Sequence, residues 1–279
     1  MPRSKYTVAF QGELGAFSHA AALHLLGPKI SLLPEKTFQK VFDVLGRGEA
    51  NCAVIPIENT LHGSVHENYD YLLDYNFSIS GETSVRISHQ LIAMPGVSFR
   101  SVRQVLSHPV ALNQCKHFFE RYKQLVPVPH YDTAGSVKSL REQHRPDAAA
   151  IASETAARTY GGTILKRNIE DLRQNFTRFF LLTKQPFTPP SATGEQKTSL
   201  VFSTTNTPGA LFRALACFAL RDLSLTKIES RPLRGKPWEY LFYVDFLGNL
   251  NEKTTQNAVS NLRECTQMVK LLGSYRPTP

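Results

Sequence analysis

The stretch QPFTPPSATGEQK, residues 185–197, separates two differently organised parts of the sequence. It holds three prolines and one glycine, and it lacks the apolar periodicity of a helix or a strand. Proline and glycine at this density are typical of a connection between domains. We therefore expect residues 4–184 and 198–276 to form separate domains, joined by a linker at 185–197.

Strand-like and helix-like segments alternate before this linker. The segments 6–12 and 52–58 predict strands, whereas 15–27, 59–75 and 107–122 have the apolar spacing of helices. Strands that alternate with helices are typical of α/β domains with largely parallel sheets. We therefore expect an α/β fold for this part of the chain.

A compact unit follows the linker. The segments 199–205, 224–230 and 239–246 predict strands, and 206–222 and 252–272 predict helices. The resulting order, βαββα, is that of a ferredoxin-like half-sheet with a split βαβ arrangement.

Composition restricts the class of protein. The 279 residues are 42% hydrophobic and 20% charged, which is the balance of a soluble globular chain. The net charge of +9 is spread over both parts, without clusters of basic and aromatic residues. This favours a small anionic substrate over nucleic acid, and no apolar run approaches the roughly 18 residues that span a bilayer. We expect neither nucleic acid nor a membrane as a partner.

The N-terminus and the cysteines bear on location and metal binding. The first residues, MPRSKYTVAFQG, enter a strand-like run so early that no room is left for a signal peptide, which predicts a cytoplasmic protein. The four cysteines lie far apart without a CxxC pair, unlike those of a zinc site or a disulfide framework. We expect them to be small buried residues: Cys52, Cys115, Cys217 and Cys265.

The segment NFTRFF (175–180) places a hydroxyl and a guanidinium among three phenylalanines. Thr177 and Arg178 are costly to bury unless they are hydrogen-bonded or paired. Two interpretations stay open on the residues alone. The segment is an ordinary strand with alternating faces, or it lines a dry pocket in which a proton and an anion are handled.

A second candidate site is PIENTLHGSVHENYD (56–70). Asn59 and Thr60 follow a predicted strand and open a predicted helix, and Gly63 and Ser64 supply another exposed turn. Amides at a helix start bind carboxylates well. Simple capping of the helix by Asn59 or Thr60 explains the pattern equally well.

A single histidine, His108, lies in SHP (107–109), where a strand is expected to meet a helix. Pro109 suits the first turn of that helix. A histidine in this position more often caps or packs than catalyses.

Together the motifs resemble those of the prephenate dehydratases, nearly from end to end. The segments that carry the resemblance are GELGAFSHAAA (12–22), PIENTLHGSVHENYDYL (56–72), LSHPVALNQC (106–115), AAAIASETAARTYGGTIL (148–165) and NFTRFFLL (175–182). After the linker, TNTPGALFRAL and KIESRP are similar to segments of the phenylalanine-sensing ACT domain. The resemblance implies a two-lobed catalytic domain like a periplasmic binding protein, followed by a ferredoxin-like βαββαβ ACT domain.

The resemblance also implies an activity and its residues. The expected reaction converts prephenate to phenylpyruvate, water and carbon dioxide without a metal or organic cofactor. Thr177 corresponds to the catalytic threonine of the family. The residues expected to bind the substrate are Asn59, Thr60, Gly63, Ser64, His108, Ser153, Asn175, Arg178 and Phe179.

Regulation and assembly follow from the same resemblance. L-phenylalanine is the expected effector, bound across a subunit interface of a homodimer or homotetramer. The residues expected to bind it are Asn206, Gly209, Ala210, Leu211, Glu229, Ser230, Arg231 and Pro232. Two alternatives stay open: an arogenate dehydratase with the same mechanism, and a non-catalytic protein that senses an amino acid.

Overall fold

The computed structural model describes residues 5–233 and 239–278. Residue 4, the expected start of the first domain, lies outside these ranges. The helices are Phe17–Leu26 (α1), Phe38–Arg47 (α2), His66–Asp74 (α3), Pro109–Asn113 (α4), Lys116–Arg121 (α5), Thr133–Gln143 (α6), Glu154–Tyr160 (α7), Ala210–Ala219 (α8) and Lys253–Cys265 (α9). In the part of the chain described, no helix is both long and apolar enough to cross a membrane.

The strands form three sheets. They are Tyr6–Gln11 (β1), Ile30–Glu35 (β2), Cys52–Asn59 (β3), Gly63–Ser64 (β4), Ser78–Arg86 (β5), Gln90–Ala93 (β6), Gln104–Ser107 (β7), Val126–Pro129 (β8), Ala148–Ala152 (β9), Thr163–Lys166 (β10), Phe176–Thr183 (β11), Lys197–Thr204 (β12), Leu225–Pro232 (β13), Tyr240–Leu247 (β14), Met268–Tyr275 (β15) and Pro277–Thr278 (β16).

The first lobe is built on a mixed sheet with the order β16-β5-β11-β3-β1-β2, with β4 paired to β3. β1 runs parallel to β2 and β3, whereas β11 lies antiparallel between β3 and β5. The strand that carries Thr177 is therefore central in this sheet, and its position is fixed by neighbours on both sides.

The second lobe has a sheet with the order β10-β6-β9-β7-β8. The chain enters it after β5 and returns before β11, and the two crossings are hydrogen-bonded to each other. Ile87 N donates to Asn175 O at 2.8 Å, and Ile169 N donates to His89 O at 3.0 Å. The expected two-lobed organisation is thus confirmed.

The C-terminal unit contains β12-α8-β13-β14-α9-β15, with the sheet order β13-β14-β12-β15. α8 and α9 pack on one face of this sheet, around Phe202 and Phe246. Residues of the other face, including Tyr243, share a core with Phe42 and Ile55 of the first lobe. The ferredoxin-like arrangement is confirmed, and its sheet is buried against the first lobe.

Three predicted helices differ from the structure. The helix expected over 59–75 begins only at His66, and the one over 107–122 is divided into α4 and α5. The helix expected over 252–272 ends at Cys265. The apolar spacing that predicted a longer helix continues into β15, but this segment is a strand that pairs with β12.

Candidate active site

Thr177 and Asn59 lie opposite each other on paired strands of the first lobe. Thr177 is 8% exposed, and Asn59 Nδ2 lies 2.9 Å from its Oγ1. Because an amide NH₂ group only donates, the threonine oxygen accepts this hydrogen bond and keeps its own proton for another partner. The pair therefore presents a nearly buried hydroxyl as a donor.

Asn175 extends this pair. Its Oδ1 accepts from the same Asn59 amide at 2.8 Å. Its own Nδ2 is buried and has no partner among the residues described. The cavity beside it has a volume of about 280 Å³ and is lined by Leu61, His62, Asn113, Gln114, Glu170, Asp171, Leu172 and Asn175. A buried donor without a partner suits an acceptor atom of a small ligand.

The loop after β3 is a tight turn and not the start of a helix. Asn59 Oδ1 accepts from two backbone N–H groups of the loop, at 2.9 and 3.1 Å. Gly63 has a φ of +75°, which favours glycine, and begins the short strand that pairs back onto β3. The expected anion site at a helix start is therefore replaced by a turn that fixes the Asn59 side chain.

Thr60 fastens this turn to the segment that leads into β11. Its hydroxyl donates to Gln174 O at 3.1 Å and accepts from Phe176 N at 3.0 Å. Its backbone N–H donates to Phe176 O at 2.9 Å. Thr60 thus holds Asn59 beside Thr177, and its hydroxyl is already engaged.

Arg178 lies on the opposite face of β11 from Thr177, because consecutive residues of a strand point to opposite sides. Its guanidinium pairs with Glu82 of β5 and with Asp245 of β14, the latter at 2.6 Å. Burial opposes the charge, yet Asp245, Tyr275 and Glu82 together raise the pKa of Arg178 above its usual value. The contact with a substrate carboxylate expected from the sequence is replaced by a contact with the C-terminal unit.

Three other residues that were expected to bind the substrate have side chains that stabilise the fold. Phe179 is 2% exposed and belongs to the core under α1. Ser153 donates to Gly15 O at 2.6 Å and accepts an N–H of the first turn of α7. His108 Nδ1 accepts the N–H of Val110 in α4 at 3.3 Å. Their side chains are thus used in packing or capping.

The loop of Gly15 joins the two lobes. A Cβ on this residue would lie 2.6 Å from Ala156 Cα of α7, so only glycine allows so close an approach. Glu13 accepts from Tyr131 Oη at 3.2 Å and from Lys138 Nζ at 3.1 Å, both in the second lobe. These contacts hold the lobes together across a cavity of about 800 Å³.

Ser64 and Glu58 contact the C-terminal unit. Ser64 Oγ donates to Glu229 Oε2 at 2.9 Å. Lys227 Nζ lies 3.0 Å from Glu58 Oε2, and the lysine side chain is 9% exposed. The loop that carries Asn59 is therefore bonded directly to β13.

The residues expected to bind phenylalanine fall in two places. Among the residues described, Glu229 and Arg231 bond to the first lobe and not to α8, with Arg231 Nη2 at 3.2 Å from both carboxylate oxygens of Asp70. Gly209, with a φ of +76°, precedes α8. Exposed to solvent are Asn206, Gly209, Leu211, Ser230 and Pro232, whereas Ala210 is buried.

Several buried polar residues were not expected from the sequence. The charge cluster around Arg178 contains Glu82, Lys197, Asp245, Ser199 and Tyr275. His89 lies at a crossing between the lobes. Their partners are distant in sequence, so no local signal could have found them. Within 5–233 and 239–278, no group of three or more acidic, histidine or cysteine side chains could hold a metal ion.

Comparison with known proteins assigns the family. The model of the prephenate dehydratase family matches residues 8–187. The chain belongs to the prephenate dehydratase family. It is 43% identical over 281 residues to arogenate dehydratase/prephenate dehydratase 2 of Arabidopsis thaliana, which covers 98% of this chain and 73% of that protein. It is 39% identical over 272 residues to the bifunctional chorismate mutase/prephenate dehydratase of Aquifex aeolicus, which covers 97% of this chain and 74% of that protein.

Solved structures of similar proteins agree with this family. The prephenate dehydratase of Arthrobacter aurescens, in complex with L-phenylalanine, superposes with a TM-score of 0.85 at 30% identity, over 97% of this chain and 89% of that one. GqqA, described as a novel type of quorum-quenching acylase, superposes with a TM-score of 0.88 at 33% identity, over 98% of both chains. The fold expected for a prephenate dehydratase and its class, a hydro-lyase, are confirmed.

The expected cytoplasmic location is wrong by the same comparison. Three Arabidopsis thaliana relatives of this prephenate dehydratase family member, at 43%, 38% and 39% identity, are named as chloroplastic proteins. The N-terminal residues of this chain therefore do not establish a cytoplasmic location.

Proposed function

We propose that this chain catalyses the decarboxylating dehydration of prephenate to phenylpyruvate, water and carbon dioxide, under regulation by L-phenylalanine. The observation that carries the proposal is the hydrogen bond from Asn59 Nδ2 to Thr177 Oγ1, which leaves the threonine proton free to be donated. Both residues lie in the segment that matches the family.

The chemistry asks for one proton. As the ring hydroxyl leaves as water, the bond between the ring and its carboxylate breaks, and carbon dioxide departs. The electron pair of that bond completes the aromatic ring, which drives the reaction, so a modest general acid suffices. Thr177 donates the proton to the leaving hydroxyl, directly or through a relay, and regains one from solvent.

Prephenate is a dianion with two carboxylates, and their recognition is assigned to neutral amides. Asn175 Nδ2 is a buried donor without a partner among the described residues, and Gln114 lines the same cavity. Buried donors that are already oriented can stabilise an anion without reorganisation. In this proposal Asn59 orients the Thr177 hydroxyl, and Asn175 and Gln114 face the substrate. The residues that hold the site in shape are Thr60, Gly63, Ser64, His108, Ser153, Arg178 and Phe179.

A second candidate substrate is arogenate, which carries an amino group where prephenate has a keto group. The 43% identity to a protein named for both activities favours this alternative. The proton transfer by Thr177 is the same for both substrates. An acylase activity like that ascribed to GqqA is less favoured, because Thr177 Oγ1 is bonded to an amide and not to a general base.

The proposal also assigns a role to each part of the chain. Residues 4–184 form the catalytic domain, 185–197 the linker and 198–276 an ACT domain that binds phenylalanine between the start of α8 and β13 of a partner subunit. Large apolar side chains exposed on this unit support a homodimer or homotetramer. They are Phe212, 75% exposed, Leu220, 82% exposed, and Ile228, 46% exposed.

The test is an ultraviolet assay of the purified full chain on prephenate and on arogenate, each with and without L-phenylalanine. Phenylpyruvate formed from prephenate, with a rate that responds to phenylalanine, supports the proposal. Turnover of arogenate alone changes the substrate and keeps the mechanism. Phenylalanine binding without turnover of either substrate would instead indicate a sensor protein.

A further inference from the structure

His89 lies at the crossing between the lobes, where its surroundings fix the imidazole. Its backbone N–H donates to Glu170 Oε2 at 2.9 Å, and its carbonyl accepts from Ile169 N at 3.0 Å. His89 is 2% exposed. Phe17, the first residue of α1, packs edge-on against the imidazole, with 6.0 Å between the ring centroids.

The imidazole is hydrogen-bonded to Gln114. His89 Nε2 lies 2.7 Å from Gln114 Oε1. An amide oxygen only accepts, so Nε2 carries a proton, and in the neutral ring Nδ1 is then unprotonated. This Nδ1 is buried and has no partner among the described residues. Burial lowers the pKa of His89, which agrees with a neutral ring.

Gln114 connects this histidine to the candidate active site. Its backbone is held at the end of α4, where its carbonyl accepts from Asp171 N at 2.7 Å. Gln114 lines the same 280 Å³ cavity as Asn175. With the amide oxygen engaged by His89, the NH₂ group is the end of the side chain available to a ligand.

We propose that His89 is a positioning residue for the dehydratase reaction and acts through Gln114. A carboxamide can turn by half a rotation about its last bond, and it then presents either its NH₂ group or its oxygen. The oxygen would repel a carboxylate, whereas the NH₂ group donates to it. The hydrogen bond from His89 Nε2 selects the second orientation. Gln114 and Asn175 then offer two amide donors to a carboxylate of the substrate.

This inference rests on the proposed function, and its test separates the two. The full chain is assayed on prephenate and arogenate with His89→Gln and His89→Asn. A glutamine can place its NH₂ group near the position of Nε2, whereas an asparagine is too short. We expect His89→Gln to stay within a few fold of the unsubstituted protein and His89→Asn to lose about ten- to a hundredfold in kcat/KM.

A double substitution distinguishes positioning from packing. We expect His89→Asn to cost less than about twofold in a Gln114→Ala background, because residues that act through one another are not additive. An equal loss in both backgrounds, or equal activity of the glutamine and asparagine variants, overturns the inference. If the unsubstituted protein turns over neither substrate, the proposed function itself fails.

Discussion

The Arg178 guanidinium lies 2.6 Å from the Asp245 carboxylate and ties the strand of Thr177 to the C-terminal unit. Glu82 and Lys197 complete a cluster with two positive and two negative charges. Because each side chain is less than a fifth exposed, the charges depend on each other for compensation. The residue after the proposed catalytic threonine therefore belongs to the contact between the first lobe and the C-terminal unit.

Asp245→Asn should destabilise the protein strongly. The substitution keeps the shape of the side chain but removes one of the two buried carboxylates that compensate the charges of Arg178 and Lys197. We expect a loss of about 3 kcal/mol in the free energy of unfolding, measured by urea denaturation. The control is Glu154→Gln, which breaks two more exposed pairs, with Arg158 and Arg167, and should cost less than about 1 kcal/mol. Similar values for the two variants would contradict the prediction.

Glu82 should make stability depend on pH. Burial by itself raises the pKa of its carboxyl, but Arg178 and Lys197 outweigh this and hold it below the ordinary value of 4.5. As pH falls, the unfolded chain therefore takes up the proton before the folded one. The stabilising contribution is complete above the unfolded value, near 4.5, and is lost as pH falls through the lower pKa of the folded state.

The measurement is urea denaturation of the unsubstituted protein and of Glu82→Gln from about pH 6 to about pH 3. The free energy of unfolding of the unsubstituted protein should fall more steeply on acidification than that of the variant. Parallel curves would show that Glu82 carries no such contribution.

Local pattern predicted the elements but not the contacts between them. Of the two interpretations left open for NFTRFF (175–180), the strand is observed, because the segment leads into β11, which is central in the first sheet. In contrast, α9 was extended into β15, because Val269 and Leu272 continue the helical spacing by coincidence. The segment forms a strand because it pairs with β12.

The same limit explains why the sequence did not predict the ion-pair partners of Arg178. The sequence showed correctly that a buried guanidinium needs a partner, and it suggested an anionic ligand. One partner, Glu82, lies on the neighbouring strand β5, and the other, Asp245, lies 67 residues further along the chain than Arg178. Only the packing of the C-terminal sheet on the first lobe brings Arg178 and Asp245 together, and no spacing within NFTRFF (175–180) contains that information.

Replacing the Thr177 hydroxyl should reduce turnover without unfolding the protein. Thr177→Val keeps the shape of a β-branched side chain in a strand but removes the proton donor, and kcat should fall about a thousandfold. Thr177→Ser keeps the hydroxyl that accepts from Asn59 and should retain most of the turnover. Phenylalanine binding by both variants, measured by calorimetry, serves as the folding control. Near-normal turnover by the valine variant would exclude Thr177 as the donor.

Lys227 offers a test of communication between the C-terminal unit and the first lobe. Its ammonium lies 3.0 Å from Glu58 and 3.5 Å from Glu229, and so joins β13 to the residue before Asn59. If phenylalanine acts by shifting β13, this contact transmits part of the shift. Lys227→Met keeps the apolar stem and removes the charge. We expect turnover without phenylalanine to change less than about twofold and the response to phenylalanine to weaken by at least about fivefold.

The matched control is Lys253→Met, which removes an exposed lysine from α9. It should leave both turnover and the phenylalanine response unchanged. The readout is the phenylalanine concentration that gives half of the maximal effect, together with phenylalanine affinity measured without substrate. A weaker response with unchanged affinity locates the defect in transmission, because the effector still binds while β13 no longer acts on the loop of Asn59. A full response in Lys227→Met would show that the signal reaches the site through other contacts, of which the pair of Arg178 and Asp245 is the next to test.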